Sequence, residues 1–222
     1  MKNLFYVIII LCLASAYAQA QTMNVTYKTL TNKKDSMNYT VSATYPQVNF
    51  GPDALMGVRG IAQDINNSLE IEVNGIIKSF TKDVFNMPQK TINGNGSSLE
   101  ITSRAWVSNG SMLSTELTTF NSIAGMAHPM TTITTFNYNV NGAGPLTLAS
   151  LFKRDADYLK IISTTAITVI TAKAEKEGYT NINDMIISGA AADAKNFTEW
   201  TVQNDSLNIV FNPYQVAPYV FG

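Results

Sequence analysis

Two Asn-Gly dipeptides, Asn109-Gly110 and Asn141-Gly142, bracket a pair of alternating runs, and this pattern limits the fold of the chain more than any other feature. Asn-Gly accepts positive φ at both central positions of a two-residue turn, the geometry that matches the twist of an antiparallel hairpin. Ahead of the first turn, Leu99, Ile101, Ala105 and Val107 alternate with polar residues, and Ser111 to Phe120 runs back. Met130 to Val140 adds a third strand whose apolar bulk comes from Ile133, Phe136, Tyr138 and Val140. The pattern predicts an antiparallel meander. The link between its second and third strands, Gly125-Met126-Ala127-His128-Pro129, is irregular and holds the only histidine.

Earlier in the chain, Val25 to Leu30 and the alternating Met37, Tyr39, Val41 and Ala43 read as a further hairpin turned at Asn32 to Asp35, with Pro46 ending its second strand. Ile61, Ile65, Leu69, Val73, Ile76 or Ile77, Phe80 and Val84 then recur at three- and four-residue steps, with Gln63, Asp64, Asn67, Glu70, Asn74, Lys78 and Lys82 on the other side. This is an amphipathic helix stopped by Met87-Pro88 and followed by the loop Asn93 to Ser98. Its polar face mixes both charge signs, so the apolar face belongs against a sheet and not on a lipid surface. Gly75, inside the helix, suggests a kink or a close packing contact.

A second helix is predicted from about Asp155, with Tyr158, Ile161, Ile162, Thr165, Val169, Ile170 and Ala174 inward and Lys173, Lys176 and Gly178 at its end. Its Thr and Ile content lowers intrinsic helicity, which leaves tertiary packing to hold it. A polar connector through Gly189-Ala190-Ala191-Ala192 leads to a last hairpin, Phe197 to Val202 and Leu207, Ile209 and Phe211, turned at Asn204-Asp205. The tail from Asn212 is too broken by proline for a central strand. The expected class is α+β, an antiparallel sheet of meander plus hairpins with two long amphipathic helices packed on it.

The first residues read as an address. Lys2, the apolar run Leu4 to Leu13 and the small residues Ala14 to Ala20 have the layout of a signal peptide, residues 1–20, with the mature chain beginning at Gln19 or Gln21. Residues 21–222 then form the folded unit, an N-terminal part 21–95 and a C-terminal part 96–222 joined in one domain. Cleavage removes Cys12, the one cysteine, so disulfide and thiolate chemistry drop out. Fifteen Lys plus Arg against 16 Asp plus Glu leave a net charge of -1, which provides no basic stripe for nucleic acid.

Candidate chemistry is sparse. His128 suits acid-base work by type, yet a general base needs an oriented partner and a zinc site needs three or four ligands. Glu116 and Asp155, its nearest acids in sequence, sit at no motif spacing, so the residues assign it a structural or contact role, with no metal and no cofactor. The pairs Glu70/Glu72, Asp155/Asp157 and Glu175/Glu177 are two residues apart and would diverge on a helix. Tyr214, Tyr219 and Phe221 read either as an exposed aromatic contact surface or as packing over an edge. No nucleophile elbow, phosphate loop or dinucleotide fingerprint is present.

Four short motifs in order carry a resemblance. They are Tyr45-Pro46-Gln47 with Ile65-Asn66, then Gly125-Met126-Ala127-His128-Pro129, then Asn137 to Gly142 followed by Leu146 to Phe152, and finally Phe211-Asn212-Pro213-Tyr214-Gln215-Val216-Ala217-Pro218-Tyr219. Together they make the chain similar to the extracytoplasmic domain shared by the anti-sigma factor RsiV and the N-terminal part of the peptidoglycan deacetylase PdaC. The resemblance implies helices on an antiparallel sheet, action at the cell envelope and, by analogy with the lysozyme-sensing RsiV ectodomain, a protein or peptidoglycan-related target. Neither a deacetylase domain nor a sigma-binding region is in this sequence, so those activities do not carry over. Members of that family also continue past the Ala-Pro-Tyr segment into a further strand, which implies a truncated sequence or a short sheet edge here.

Two functions follow as expectations. One is an exported, periplasmic or extracellular binding domain that contacts its partner through Gly125, Met126, Ala127, His128, Pro129, Tyr214 and Tyr219. The alternative is a carboxylate-dependent envelope hydrolase, which requires Asp or Glu brought to His128 by the fold.

Overall fold

The computed structural model describes residues 23–52, 54–88, 96–140, 144–179, 181–204 and 206–221. The signal-peptide segment with Cys12, the residues Asn93 to Asn95, the Asn141-Gly142 turn, Asp205 and Gly222 lie outside the described residues.

Six strands form one sheet in chain order: β1 (Met23–Lys34), β2 (Tyr39–Phe50), β3 (Ser97–Ser108), β4 (Met112–Ser122), β5 (Met130–Asn139) and β6 (Gly144–Pro145). The expected hairpin and meander are both there, and all neighbouring pairs are antiparallel except β2 with β3. That pair is parallel because the chain crosses from the end of β2 through a long helix before it re-enters the sheet, a connection no hairpin can make. Since β2 pairs with β3, the sheet runs straight across the boundary at residue 95.

Pro46 does not end β2, which continues to Phe50. Parallel pairing with β3 stops at Ala43, so Pro46 lies where β1 is the sole ladder partner and a missing N–H is tolerated.

The crossover is α1 (Met56–Phe85), and its inward stripe is the predicted one. Ala62, Ile65, Leu69, Val73, Phe80 and Val84 are buried against Val41, Ala43, Tyr45, Leu99, Ile101, Leu113 and Leu117 of the sheet. Burying each such aliphatic or aromatic side chain stabilises by about 1.5–3 kcal/mol before ordering entropy is subtracted. A Cβ on Gly75 would meet nothing within 4 Å, so this glycine marks no close packing contact.

The C-terminal third builds a second layer. It contains α2 (Tyr158–Lys176), the short α3 (Asn183–Gly189) and the hairpin β7 (Trp200–Gln203) and β8 (Ser206–Ile209). Hydrogen bonds tie the hairpin to the large sheet: Ser114 Oγ accepts from Val202 N at 2.9 Å, and Asn137 Nδ2 donates to Trp200 O at 2.8 Å. Ser114 Oγ itself donates to Asn137 Oδ1 at 2.6 Å, so the buried seam is satisfied from both sides.

Three expectations are corrected in this layer. α2 starts at Tyr158, not near Asp155, and its Ile161 and Val169 are 61% and 62% exposed. Ile161 and Ile162 are neighbours roughly 100° apart around a helix, and here Ile161 falls on the exposed side. Ile162 is buried with Leu148, Phe197 and Trp200, while Ala174 joins Ile182, Ile186, Ala217 and Phe221 in a separate cluster. The segment read as polar connector contains α3, seven residues long and too short to show a period, held by the fully buried Ile186. Finally, Phe197 ends a 3-10 turn, Ala194–Phe197, before the hairpin begins at Trp200.

Candidate binding surface

β4 ends at Ser122, and Ile123 and Ala124 turn inward, with Ala124 N donating to Ser97 Oγ at 3.0 Å. The next residues are then pushed outward. Gly125 has φ 84, a conformation glycine adopts without penalty, and Gly125, Met126, Ala127, His128 and Pro129 are all exposed. His128 Nδ1 lies 2.9 Å from Pro129 O. A carbonyl only accepts, so Nδ1 carries the hydrogen in that contact.

The tail reaches this turn from the other end of the sequence. Asn212 Oδ1 accepts from Ile133 N at 2.6 Å and its Nδ2 donates to Ile133 O at 3.0 Å, so the amide stands in for a neighbouring strand on β5. Gln215 fixes the next turn: its Nε2 donates to Gly189 O at 3.1 Å and to Asn196 O at 2.8 Å. Asn212-Pro213-Tyr214-Gln215 closes with Gln215 N donating to Asn212 O at 3.0 Å. Its third residue, Tyr214, has φ 68, where glycine or asparagine is normal and a tyrosine loses about 1–2 kcal/mol. Such strain persists only where surrounding contacts over-determine it, and it concentrates at functional positions.

The result is a row of rings. His128 and Tyr219 stack at 6.4 Å between centroids, and Tyr219 and Tyr214 stack at 5.9 Å, both with interplanar angles of 29°. The two tyrosines are 47% and 53% exposed, beside Met126 at 49% and Met130 at 50%. The two readings of the tail aromatics therefore divide: Tyr214 and Tyr219 face outward, whereas Phe221 is buried. All seven residues named from sequence lie on this rim or on the turn that supports it.

Tyr214 and Tyr219 also border a cleft of about 510 Å³ between β5, α2 and the tail. Thr131, Ile133, Ile170, Lys173, Val216 and Phe221 are among its lining residues. Lys173 is the one charged residue there among the described residues, its ammonium 4.4 Å from the Phe221 ring centre and 3.4 Å from Phe221 O. Sequence reasoning missed this role, because a lysine in the last turn of a helix is ordinary dipole complementation. Two acids at the sheet are engaged elsewhere. Glu116 accepts from Arg104 at 2.6 Å, and Glu199 accepts from Thr135 N and Oγ1 at 2.6 and 3.0 Å. Among the described residues, no group of three or more His, Asp, Glu or Cys is gathered as a metal site would require.

Residues 149–222 match the family model DUF3298, described as a protein of unknown function. The DUF3298 match contains α2, α3, the second hairpin and the tail, and thus supplies Lys173, Asn212, Tyr214 and Tyr219. The His128 turn lies outside it. Two solved structures share the fold with a TM-score of 0.55 each. One is a DUF3298 family protein of Pseudomonas aeruginosa, 11% identical, covering 90% of this chain and 87% of its own. The other is a DUF3298 member of Bacteroides fragilis, 17% identical, covering 91% and 89%. At these identities the likeness carries architecture alone. No curated protein matches the chain.

Proposed function

We propose that this chain is an exported binding domain of the cell envelope, and that its contact surface is the ring row His128, Tyr219 and Tyr214 with the Gly125 to Pro129 turn. The single observation that carries this reading is the meeting of these rings, half exposed, on a backbone that holds Tyr214 at φ 68. Tyrosine gives large contact area at small entropic loss, which suits a protein-facing patch. The resemblance to the RsiV and PdaC extracytoplasmic domain directs the choice of partner toward lysozyme or another envelope protein or peptidoglycan component. Export rests on the N-terminal signal pattern, and secreted material beginning at Gln19 or Gln21 in an intact-mass measurement supports it. Retention of Met1 in secreted protein refutes the cleavage, and protein confined to the cytoplasm refutes export.

The hydrolase alternative needs a carboxylate beside His128, and among the described residues the contacts of that ring are Tyr219 and the Pro129 carbonyl. Calorimetry against a panel of lysozymes, run beside a peptidoglycan turnover assay, separates the two. Binding that survives His128→Ala with a moderate loss but falls at least tenfold in Tyr214→Ala is the expected result. Turnover without binding to any lysozyme overturns the assignment.

A further inference from the structure

The outer edge of β5 is occupied almost rung by rung. Asn137 O accepts from Leu146 N at 2.7 Å, Thr135 N donates to Glu199 Oε2, and Ile133 uses both backbone groups on the Asn212 amide. Outward-facing backbone pairs recur every second residue along an edge strand, so the next is Thr131. Pro129, one step further, has no N–H, and its carbonyl is the contact of His128 Nδ1. Among the described residues, the outward N–H and C=O of Thr131 have no partner, and Thr131 lines the cleft. Natural folds cover such edges, and an open rung in a cavity is a template for an added strand.

From this edge and from Lys173, we infer that the cleft takes the C-terminal residues of an extended peptide. The peptide backbone completes the Thr131 rung, its last side chain is apolar and lies among Ile133, Ile170 and Phe221, and its terminal carboxylate meets the Lys173 ammonium. Charge selects this occupant: the cleft's charged residue among those described is a cation, held in place over the Phe221 ring. An ammonium has three donors, and the Phe221 carbonyl contact uses one. A single free rung suits a chain end, whereas a through-running strand would collide with Asn212 on the next rung. The inference goes beyond the envelope reading: Tyr214 and Tyr219 border the same cleft, but the peptide end is held by the Thr131 rung and the Lys173 ammonium and not by the outward ring faces.

The test uses the folded full chain and short synthetic peptides ending in Val or Leu, each as free acid and as C-terminal amide, titrated by calorimetry. The free acid should bind at least tenfold more tightly than its amide, and Lys173→Gln should abolish that preference. Thr131→Pro removes the outward N–H at an edge position where proline is tolerated, and should weaken both forms while leaving the melting temperature near that of the parent. The same titrations on a chain extended by several residues past Gly222, which carries its own carboxylate away from Phe221 in sequence, should give equal or tighter binding. Equal affinity of acid and amide, or an unchanged preference in Lys173→Gln, overturns the inference. Simple aliphatic carboxylates binding as tightly as the peptides overturn the strand-pairing part. Lysozyme binding that persists in Lys173→Gln while no peptide binds defeats this inference and leaves the envelope reading standing.

Discussion

Asn66 of α1 and Val48 of β2 pair like two strands. Val48 N donates to Asn66 Oδ1 at 2.7 Å, and Asn66 Nδ2 donates to Val48 O at 2.9 Å. The pairing falls beyond Ala43, where β3 has left β2, so the side chain replaces the missing neighbour. Asn66→Ala should destabilise the fold by about 2–4 kcal/mol, because two part-buried backbone groups lose their partner. Asn66→Asp keeps the acceptor for Val48 N but turns a carboxylate oxygen toward Val48 O, so it should not restore stability. Urea unfolding of the three proteins measures both effects, and equal midpoints would falsify the strand-substitute role.

The stripe of α1 makes a second prediction. Leu69 is fully buried and Lys78 exposed, so Leu69→Ala should lose roughly 2–5 kcal/mol and Lys78→Ala less than about 0.5 kcal/mol. Indistinguishable melting temperatures for the Leu69 variant and the parent would contradict the assigned face.

Gly189 and Gln215 set a third. A Cβ on Gly189 would lie 1.9 Å from Gln215 O and 2.7 Å from its carbonyl carbon, so the tail docks only where a side chain is absent. Gly189→Ala should destabilise by about 1–3 kcal/mol as the tail shifts. Because the tail carries Tyr219, the ring-current shift on the His128 proton signals should change in the same variant, which simple loss of stability would not produce. An unchanged His128 spectrum would uncouple Gly189 from the surface.

Tyr138 contributes to the alkaline limb of stability. Burial raises its pKa above the usual phenol value of about 10, Ser68 opposes the shift and the Glu72 charge adds to it. Below the unfolded value the phenol is protonated in both states and its contribution is fully present. As pH rises through the folded value that contribution is lost, because the unfolded chain has already ionised there. Tyr138→Phe should therefore lose less stability than the parent between neutral and strongly alkaline pH. Parallel urea midpoints across that range would exclude the effect.

Legibility in the sequence followed packing geometry. The α1 stripe was readable because a long helix lies along one sheet, so its period is undisturbed from Ile65 to Val84. α2 was not, since it is divided between two small clusters and adjacent apolar residues such as Ile161 and Ile162 blur the phase. His128, Tyr214 and Tyr219 could each be named, but nothing local announced that they meet. Their meeting depends on Asn212 docking to Ile133 across 79 residues, and an asparagine before proline reads only as a turn. Thr131 carried no signal at all, because an open rung is a property of what the neighbouring chain leaves uncovered.

The docking of Asn212 on Ile133 also bears on biogenesis. The strands of the large sheet are synthesised well before Trp200, so the sheet can assemble while its β5 border and the ring row are still missing. During that interval an edge strand rich in Thr, with Ile133 and Phe136 among its residues, faces the surroundings uncovered. A polypeptide released before Asn212 would keep most of its large hydrophobic cluster, lack the ring row and expose a border prone to intermolecular pairing. Docking of Asn212 is thus the step that both brings the ring row together and covers the exposed border.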